Sequence, residues 1–246
     1  MRRPFLDRQV SVLGQPLPMA VIGLIVFSIV GSTLLAFGQR MGIGLAGLTP
    51  LLPSAVMHGQ VWRLLTWGFF EGDGQSLVFA SLLIGFSGRD LTAAWGGRRF
   101  IALCAGIVFG TGIAATIVGI AWRDVYLFGY LTLWPLADAL VIAWSVLFPN
   151  RTILFMFVLP AAGRNLLYAT VGITVIFSLM HGFSYFVPHF LAMGLMYAYI
   201  RGGAIWRTRA RLGQLLTPKR DTRGLKVVEG GRNRDPKGPN GSGWVH

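Results

Sequence analysis

Charged side chains are scarce in this sequence: Asp, Glu, Lys and Arg together make up 13% of its 246 residues, about half the share found in soluble globular domains. Acid is scarcer still, with nine Asp and Glu against 22 Lys and Arg. So little charge cannot clothe a water-facing surface, which argues against an ordinary soluble enzyme. Cysteine is nearly absent. The one thiol, Cys104, lies inside an apolar run, so no internal disulfide can form and a cysteine-based metal site is not expected. Its expected role is packing. The chain also lacks a Gly-rich phosphate loop, zinc-ligand spacing and a dinucleotide fingerprint. No cofactor and no metal ion are expected.

What the sequence has instead is apolar length. Hydrophobic residues reach 54%, and the stretch from Pro18 to Gly38 carries no charge at all, enough for a membrane helix of about 20 residues. Further charge-poor runs give six expected spans at about 18–38, 75–88, 100–122, 132–148, 163–181 and 185–201. The second is short for a crossing. Between the first two, residues 39–74 are too interrupted by Gly, Pro and charge to cross and are expected to lie in the interface. The fold class that follows is all-α, a polytopic bundle of six transmembrane helices surrounded by lipid bilayer.

The net charge of +13 would suit a nucleic-acid partner if it were gathered on one surface. The basic residues stand instead at the chain ends and in the short gaps between apolar runs, so nucleic acid is not an expected partner and the charge reads as a topology signal. Arg2, Arg3 and Arg8 precede the first span, Arg89, Arg98 and Arg99 follow the second, Arg151 and Arg164 follow the fourth, and Arg207, Arg209 and Arg211 follow the last. In a six-span chain all of these share one side. Arg40, Arg63 and Arg123 are left for the other. Both termini are therefore expected in the cytoplasm, with the plasma membrane, or the inner membrane of a bacterium, as the location. From about Leu216 the composition turns to Gly, Pro, Asn and basic residues with little to bury, which predicts disorder. The expected organisation is a cytoplasmic segment over 1–17, a membrane domain over 18–201 and a basic tail over 202–246.

Four short segments are distinctive. Trp62-Arg63 stands in GQVWRLLTWGFF in the long loop; SGRDLTAAWGGRRF occupies 87–100; LFPNRTILF occupies 147–155; LPAAGRNLL occupies 159–167. Trp62 suits the headgroup level, and Arg63 beside it is expected to extend its charge to water. In this order and spacing the segments resemble the rhomboid family of intramembrane serine proteases and their non-proteolytic relatives, over roughly residues 18–201. The resemblance implies a Ser-His dyad, with a serine opening the fourth span and a histidine on the sixth, because a hydroxyl is a weak nucleophile until a base takes its proton.

Counting back from Phe148-Pro149-Asn150 puts the family's Gly-x-Ser-Gly on Thr132-Leu133-Trp134-Pro135, so the nucleophile position holds Trp134. The family's oxyanion donors, four residues apart on the second span, fall on Ser76 and Ala80. Losing one such donor typically costs about 3 kcal/mol of transition-state stabilisation; losing the nucleophile is decisive. The family's histidine corresponds to His189, with His181 as competitor. The nearby hydroxyls, Thr132, Tyr130 and Ser145, do not substitute: Thr132 and Tyr130 stand two and four residues before the nucleophile position, and Ser145 lies about three helical turns deeper. Asp138, one turn beyond Trp134 on the same helical face, is a carboxylate inside a span and needs a partner. Three partners answer that need: His189, in a polar bridge that takes the place of the catalytic contact; water in a cavity open to the outer face; or a polar residue of a partner protein, with Asp138 protonated in the last two. Gly106-x-x-x-Gly110 on the third span is expected to allow close helix packing, within the bundle first and with another chain as the alternative.

The expected protein is thus no enzyme but a rhomboid-like pseudoprotease that binds transmembrane helices of other membrane proteins. An accessory structural subunit of a larger membrane complex is the alternative. An active intramembrane serine protease using Thr132 stands behind both, and a transporter behind that.

Overall fold

The computed structural model describes residues 5–12, 15–155 and 159–204; the tail expected from Leu216, and with it Arg207, Arg209 and Arg211, lies outside them, as do Arg2 and Arg3. A hairpin of β1 (Gln9–Val12) and β2 (Gln15–Pro18) leads directly into α1 (Met19–Arg40). The connection to the next long helix carries two short helices, α2 (Pro53–Met57) and α3 (Arg63–Thr66). There follow α4 (Gly74–Trp95), α5 (Gly97–Ala121), a short α6 (Arg123–Leu127) and α7 (Trp134–Leu147). A second hairpin, β3 (Thr152–Phe155) with β4 (Leu159–Ala162), precedes α8 (Gly163–His181) and α9 (Phe183–Tyr199).

Among the described residues, five helices are long and apolar enough to cross a membrane: α1, α4, α5, α8, and α9 with the turn that follows it. The chain is an all-α polytopic membrane bundle. Apolar side chains such as Leu34, Ile120, Leu179 and Met180 stand more than half exposed on these helices, as a lipid-facing surface requires. The expected fourth span behaves differently. At 14 residues, α7 rises about 21 Å, short of a hydrocarbon core of about 30 Å. Eleven of those residues are buried, from Pro135 to Ser145 without a break. It packs against α4, α8 and α9 and forms the core of the bundle, with Trp144, Leu136 and Leu140 among the largest fully buried side chains.

The second span is longer than expected. The sequence reading ended it at residue 88 because Arg89 and Asp90 follow, yet the helix continues to Trp95. Asp90 is the reason: its Oδ2 accepts from Trp144 Nε1 of α7 at 2.9 Å and from Arg151 at 2.5 Å, so the charge is bound at the bundle's edge and the helix need not end there. Gly96, at φ +83°, then reverses the chain between α4 and α5, a conformation open to glycine without strain.

The N-terminal segment is docked. Asp7 Oδ1 accepts from Gly97 N at the first residue of α5, and a side chain on Gly97 would meet Leu6 at 2.7 Å. The expected close packing at Gly106 and Gly110 is not found: a Cβ on Gly106 would meet nothing within 4 Å, and one on Gly110 only the tip of Leu195 at 3.6 Å. The close approach on α5 falls at Gly112, where a Cβ would meet the Leu64 carbonyl oxygen at 2.9 Å. Gly106 is exposed, and Gly110 is half-buried with only ordinary contact to α9.

Candidate functional site

The candidate site is built where α7 starts. A helix beginning inside a protein must find acceptors for its first amides, and no residue adjacent in sequence to Trp134 supplies a carboxylate. Glu71, from the far connection, does so: its Oε2 accepts from Leu133 N at 3.0 Å and from Thr132 Oγ1 at 2.9 Å. Thr132 Oγ1 in turn accepts from Trp134 N at 3.3 Å. Burial pushes the Glu71 carboxyl above its usual value, against the hydrogen bonds from Leu133 and Thr132 that pull it down.

Two further straps hold this end. Leu51 and Tyr130 exchange backbone hydrogen bonds at 2.7 and 2.8 Å. The Tyr130 hydroxyl donates to the Ser184 carbonyl at 2.7 Å. That carbonyl is free because the residue four positions on is Pro188, which has no amide to offer it. Proline inside α9 thus exposes an acceptor that ties α9 to the segment leading into α7.

The connection bearing Glu71 is itself clamped by Arg63. The guanidinium donates to Gln60 Oε1 at 2.6 Å, Pro50 O at 2.8 Å and Gly47 O at 2.8 Å. Arg63 is 5% exposed, so its charge does not extend to water as the sequence reading expected; the fork of donors organises the loop instead. Trp62 is 50% exposed and its indole donates to Leu48 O at 3.2 Å, leaving the ring on the surface.

One helical turn into α7, Asp138 faces α9. Its Oδ2 accepts from His189 Nδ1 at 2.7 Å, with the residues 7% and 6% exposed. The structure brings these two together and leaves His181 apart, on the surface at the end of α8 with Nδ1 3.2 Å from the Phe177 carbonyl. An ionised Asp138 only accepts, and that arrangement assigns the Nδ1–H tautomer to His189. His189 Nε2 is buried with no hydrogen-bond partner among the described residues. The Phe186 ring lies 5.0 Å from the imidazole and the Tyr185 ring 6.5 Å from it, centre to centre.

The other positions named from sequence are engaged elsewhere. Trp134 is partly buried against the core. Ser76 belongs to the first turn of α4, where its amide donates to Asp73 Oδ2 at 2.7 Å, and Ala80 is fully buried. Ser145 is 1% exposed and its hydroxyl has no partner among the described residues. Cys104 is buried. No group of His, Cys, Asp and Glu among the described residues is arranged to hold a metal ion. Sequence reasoning missed Glu71, and it weighed Tyr130 only as a hydroxyl near the nucleophile position, not as the strap to Ser184. Glu71 had a signal, since a single carboxylate between an aromatic run and glycine is costly to place near a membrane unless something holds it.

Residues 19–201, the whole body from α1 through α9, match a family described as eukaryotic integral membrane protein (DUF1751). No curated protein matches.

Proposed function

From the chain's membership of that eukaryotic integral membrane protein family, we propose that it is a non-catalytic, rhomboid-like membrane protein that binds transmembrane segments of other proteins. The observation that carries this reading is the Asp138–His189 bridge. His189 Nδ1 is taken by a carboxylate at 2.7 Å, and its Nε2 meets no hydroxyl or thiol among the described residues. A serine-type nucleophile has to sit within hydrogen-bond reach of its base, and the position one turn before Asp138 is occupied by the indole of Trp134. Thr132, the nearest hydroxyl before it, is bound to Glu71. What supports a binding role is a bundle whose central helix is fastened at both ends, by Glu71 and Tyr130 at one and by Asp90 at the other, while its long helices present apolar faces outward.

The same reading places both chain ends in the cytoplasm, on the side of Arg8, Arg89, Arg98, Arg99, Arg151 and Arg164. The experiment is a single-span reporter reconstituted with the purified protein in bicelles, with a photocrosslinker at Tyr185 and a serine-directed fluorophosphonate in a parallel sample. The expected result is crosslinked, intact reporter and no covalent labelling. Cleavage of the reporter that disappears in Thr132→Val would overturn the reading. Stoichiometric recovery of a fixed partner set, with no reporter crosslinked, would assign the protein to a structural complex instead.

A further inference from the structure

We propose that the cleft between the end of α1 and the entry to α4 binds a phospholipid headgroup that carries a primary ammonium, of the phosphatidylethanolamine type. The cleft encloses about 290 Å³ and is lined by Ser32, Phe37 and Arg40 from α1 and by Asp73, Gly74 and Leu77 from the opposite wall. The α1 residues fall on one helical face, so the wall is continuous. Its two ends carry opposite charge, and the charges do not neutralise each other. Arg40 forms no ion pair among the described residues, although Glu71 and Asp73 line the same space.

The hydrogen-bonding capacity left over is specific. Glu71 is occupied, with Oε2 on Thr132 and Leu133 and Oε1 accepting from Gly72 N. Asp73 caps α4 through Oδ2 and is exposed; a carboxylate accepts about four hydrogen bonds in all, so capping leaves it room for an ammonium. Ser32 is 5% exposed. Its Oγ accepts from Glu71 N at 2.9 Å, but its proton reaches no acceptor among the described residues, whereas the neighbouring Thr33 donates back to the Ile29 carbonyl. A buried hydroxyl donor and an unpaired guanidinium are the two contacts a phosphate asks for, and Asp73 supplies the acceptor for the amine beside it. Arg40 is also at the C-terminal end of α1, where a cation belongs and where headgroups lie. Below it, Phe27, Val30, Leu34 and Phe37 are each at least 50% exposed along α1, a face for the acyl chains. A choline headgroup cannot donate to Asp73, and a glycerol headgroup brings no cation to it.

The test is lipid retention. The full chain is reconstituted with equal amounts of ethanolamine, choline and glycerol phospholipids, washed in mild detergent, and the retained lipid is counted by native mass spectrometry. Ethanolamine lipid is expected to be retained over the other two by about fivefold, the effect of one added exposed charge-assisted contact. Arg40→Gln is expected to abolish retention of all three. Asp73→Asn keeps the cap on α4, because asparagine caps as well as aspartate, and is expected to equalise ethanolamine and choline lipid. Equal retention in the unaltered protein, or an ethanolamine preference that survives both substitutions, would overturn the proposal. Soluble phosphoethanolamine is expected to leave the lipid in place; displacement at equal concentration would assign the cleft to the free headgroup and overturn the lipid.

Discussion

Replacing Asp138 and His189 by leucine, singly and together, separates a bridge that organises the bundle from a polar contact that merely fits. His189→Leu leaves the Asp138 carboxylate buried without a donor, and an uncompensated charge of this kind costs about 3–5 kcal/mol. Asp138→Leu leaves an imidazole whose Nε2 already has no partner among the described residues; stranding its second nitrogen costs about 1–3 kcal/mol. The double substitution removes both polar groups, and apolar residues of similar volume in place of a buried pair are often neutral or stabilising. The double variant is therefore expected within about 1 kcal/mol of the unaltered protein, with a coupling energy of several kcal/mol. An ordinary hydrogen bond between membrane helices is a much weaker competitor, averaging about 0.6 kcal/mol. The assay is reversible unfolding by dodecyl sulfate in mixed micelles, followed by tryptophan fluorescence. A coupling below about 1 kcal/mol, or a larger loss for Asp138→Leu than for His189→Leu, would refute the reasoning.

Four other outcomes are expected. Arg63→Lys keeps the charge but not the fork that spans Gln60, Pro50 and Gly47, and should cost about 2 kcal/mol, seen as faster proteolysis between α1 and α4. Asp90→Ala strands the fully buried Trp144 indole and should cost about 2 kcal/mol, whereas Arg151→Ala removes a half-exposed partner and should cost under about 1 kcal/mol; equal losses in the unfolding assay would contradict this. Burial raises the Glu71 carboxyl above 4.5, so the folded state holds that proton to higher pH than the unfolded chain. Its contribution is full below that value and is lost as the pH rises through the folded one, and Glu71→Gln should flatten this part of the stability profile. Gly112→Ala drives a methyl onto the Leu64 backbone and should cost about 1–3 kcal/mol, while Gly106→Ala, which meets nothing, should change the unfolding midpoint little.

The long helices were legible because hydropathy is a sum over many residues and tolerates local exceptions. Residues 163–181 coincide with α8, and the first span differs from α1 by two residues at its end. Legibility failed where one side chain decided the matter. Arg89 and Asp90 ended the second span on charge alone, since a run of sequence does not show that Arg151, 61 residues on, meets Asp90. Arg63 looked like an interfacial cation because two of its three acceptors are backbone carbonyls, which sequence does not mark. Gly106 and Gly110 have the spacing of a packing motif, but the tightest approach on α5 is at Gly112 against the Leu64 backbone, which that spacing does not mark. The fourth apolar run was found, yet nothing in it announced a helix shorter than its neighbours and buried from Pro135 to Ser145 at the centre of the bundle.

The scarcity of acid gives the arrangement a logic of its own. Nine Asp and Glu occur in the sequence, and six fall among the described residues: Asp7, Glu71, Asp73, Asp90, Asp124 and Asp138, each with a hydrogen-bond partner. Three of them stand at the starts of α5, α7 and α4 in turn, accepting from Gly97, Leu133 and Ser76. Helix N-termini combine unpaired amides with a positive dipole end, which is where a carboxylate is most stable in a medium of low dielectric. Asp124 is bound to Trp122 next to it, and Asp90 reaches a half-exposed arginine at the edge of the bundle. Asp138 is the exception, a carboxylate past the first turn of the most buried helix, where no unpaired amide needs it. Leucine at both Asp138 and His189 would pack that space at no expected loss of stability. Such a pair, set where α7 meets α9 and with one nitrogen that has no partner among the described residues, is the polar contact that our proposal assigns to a transmembrane segment docking on the bundle.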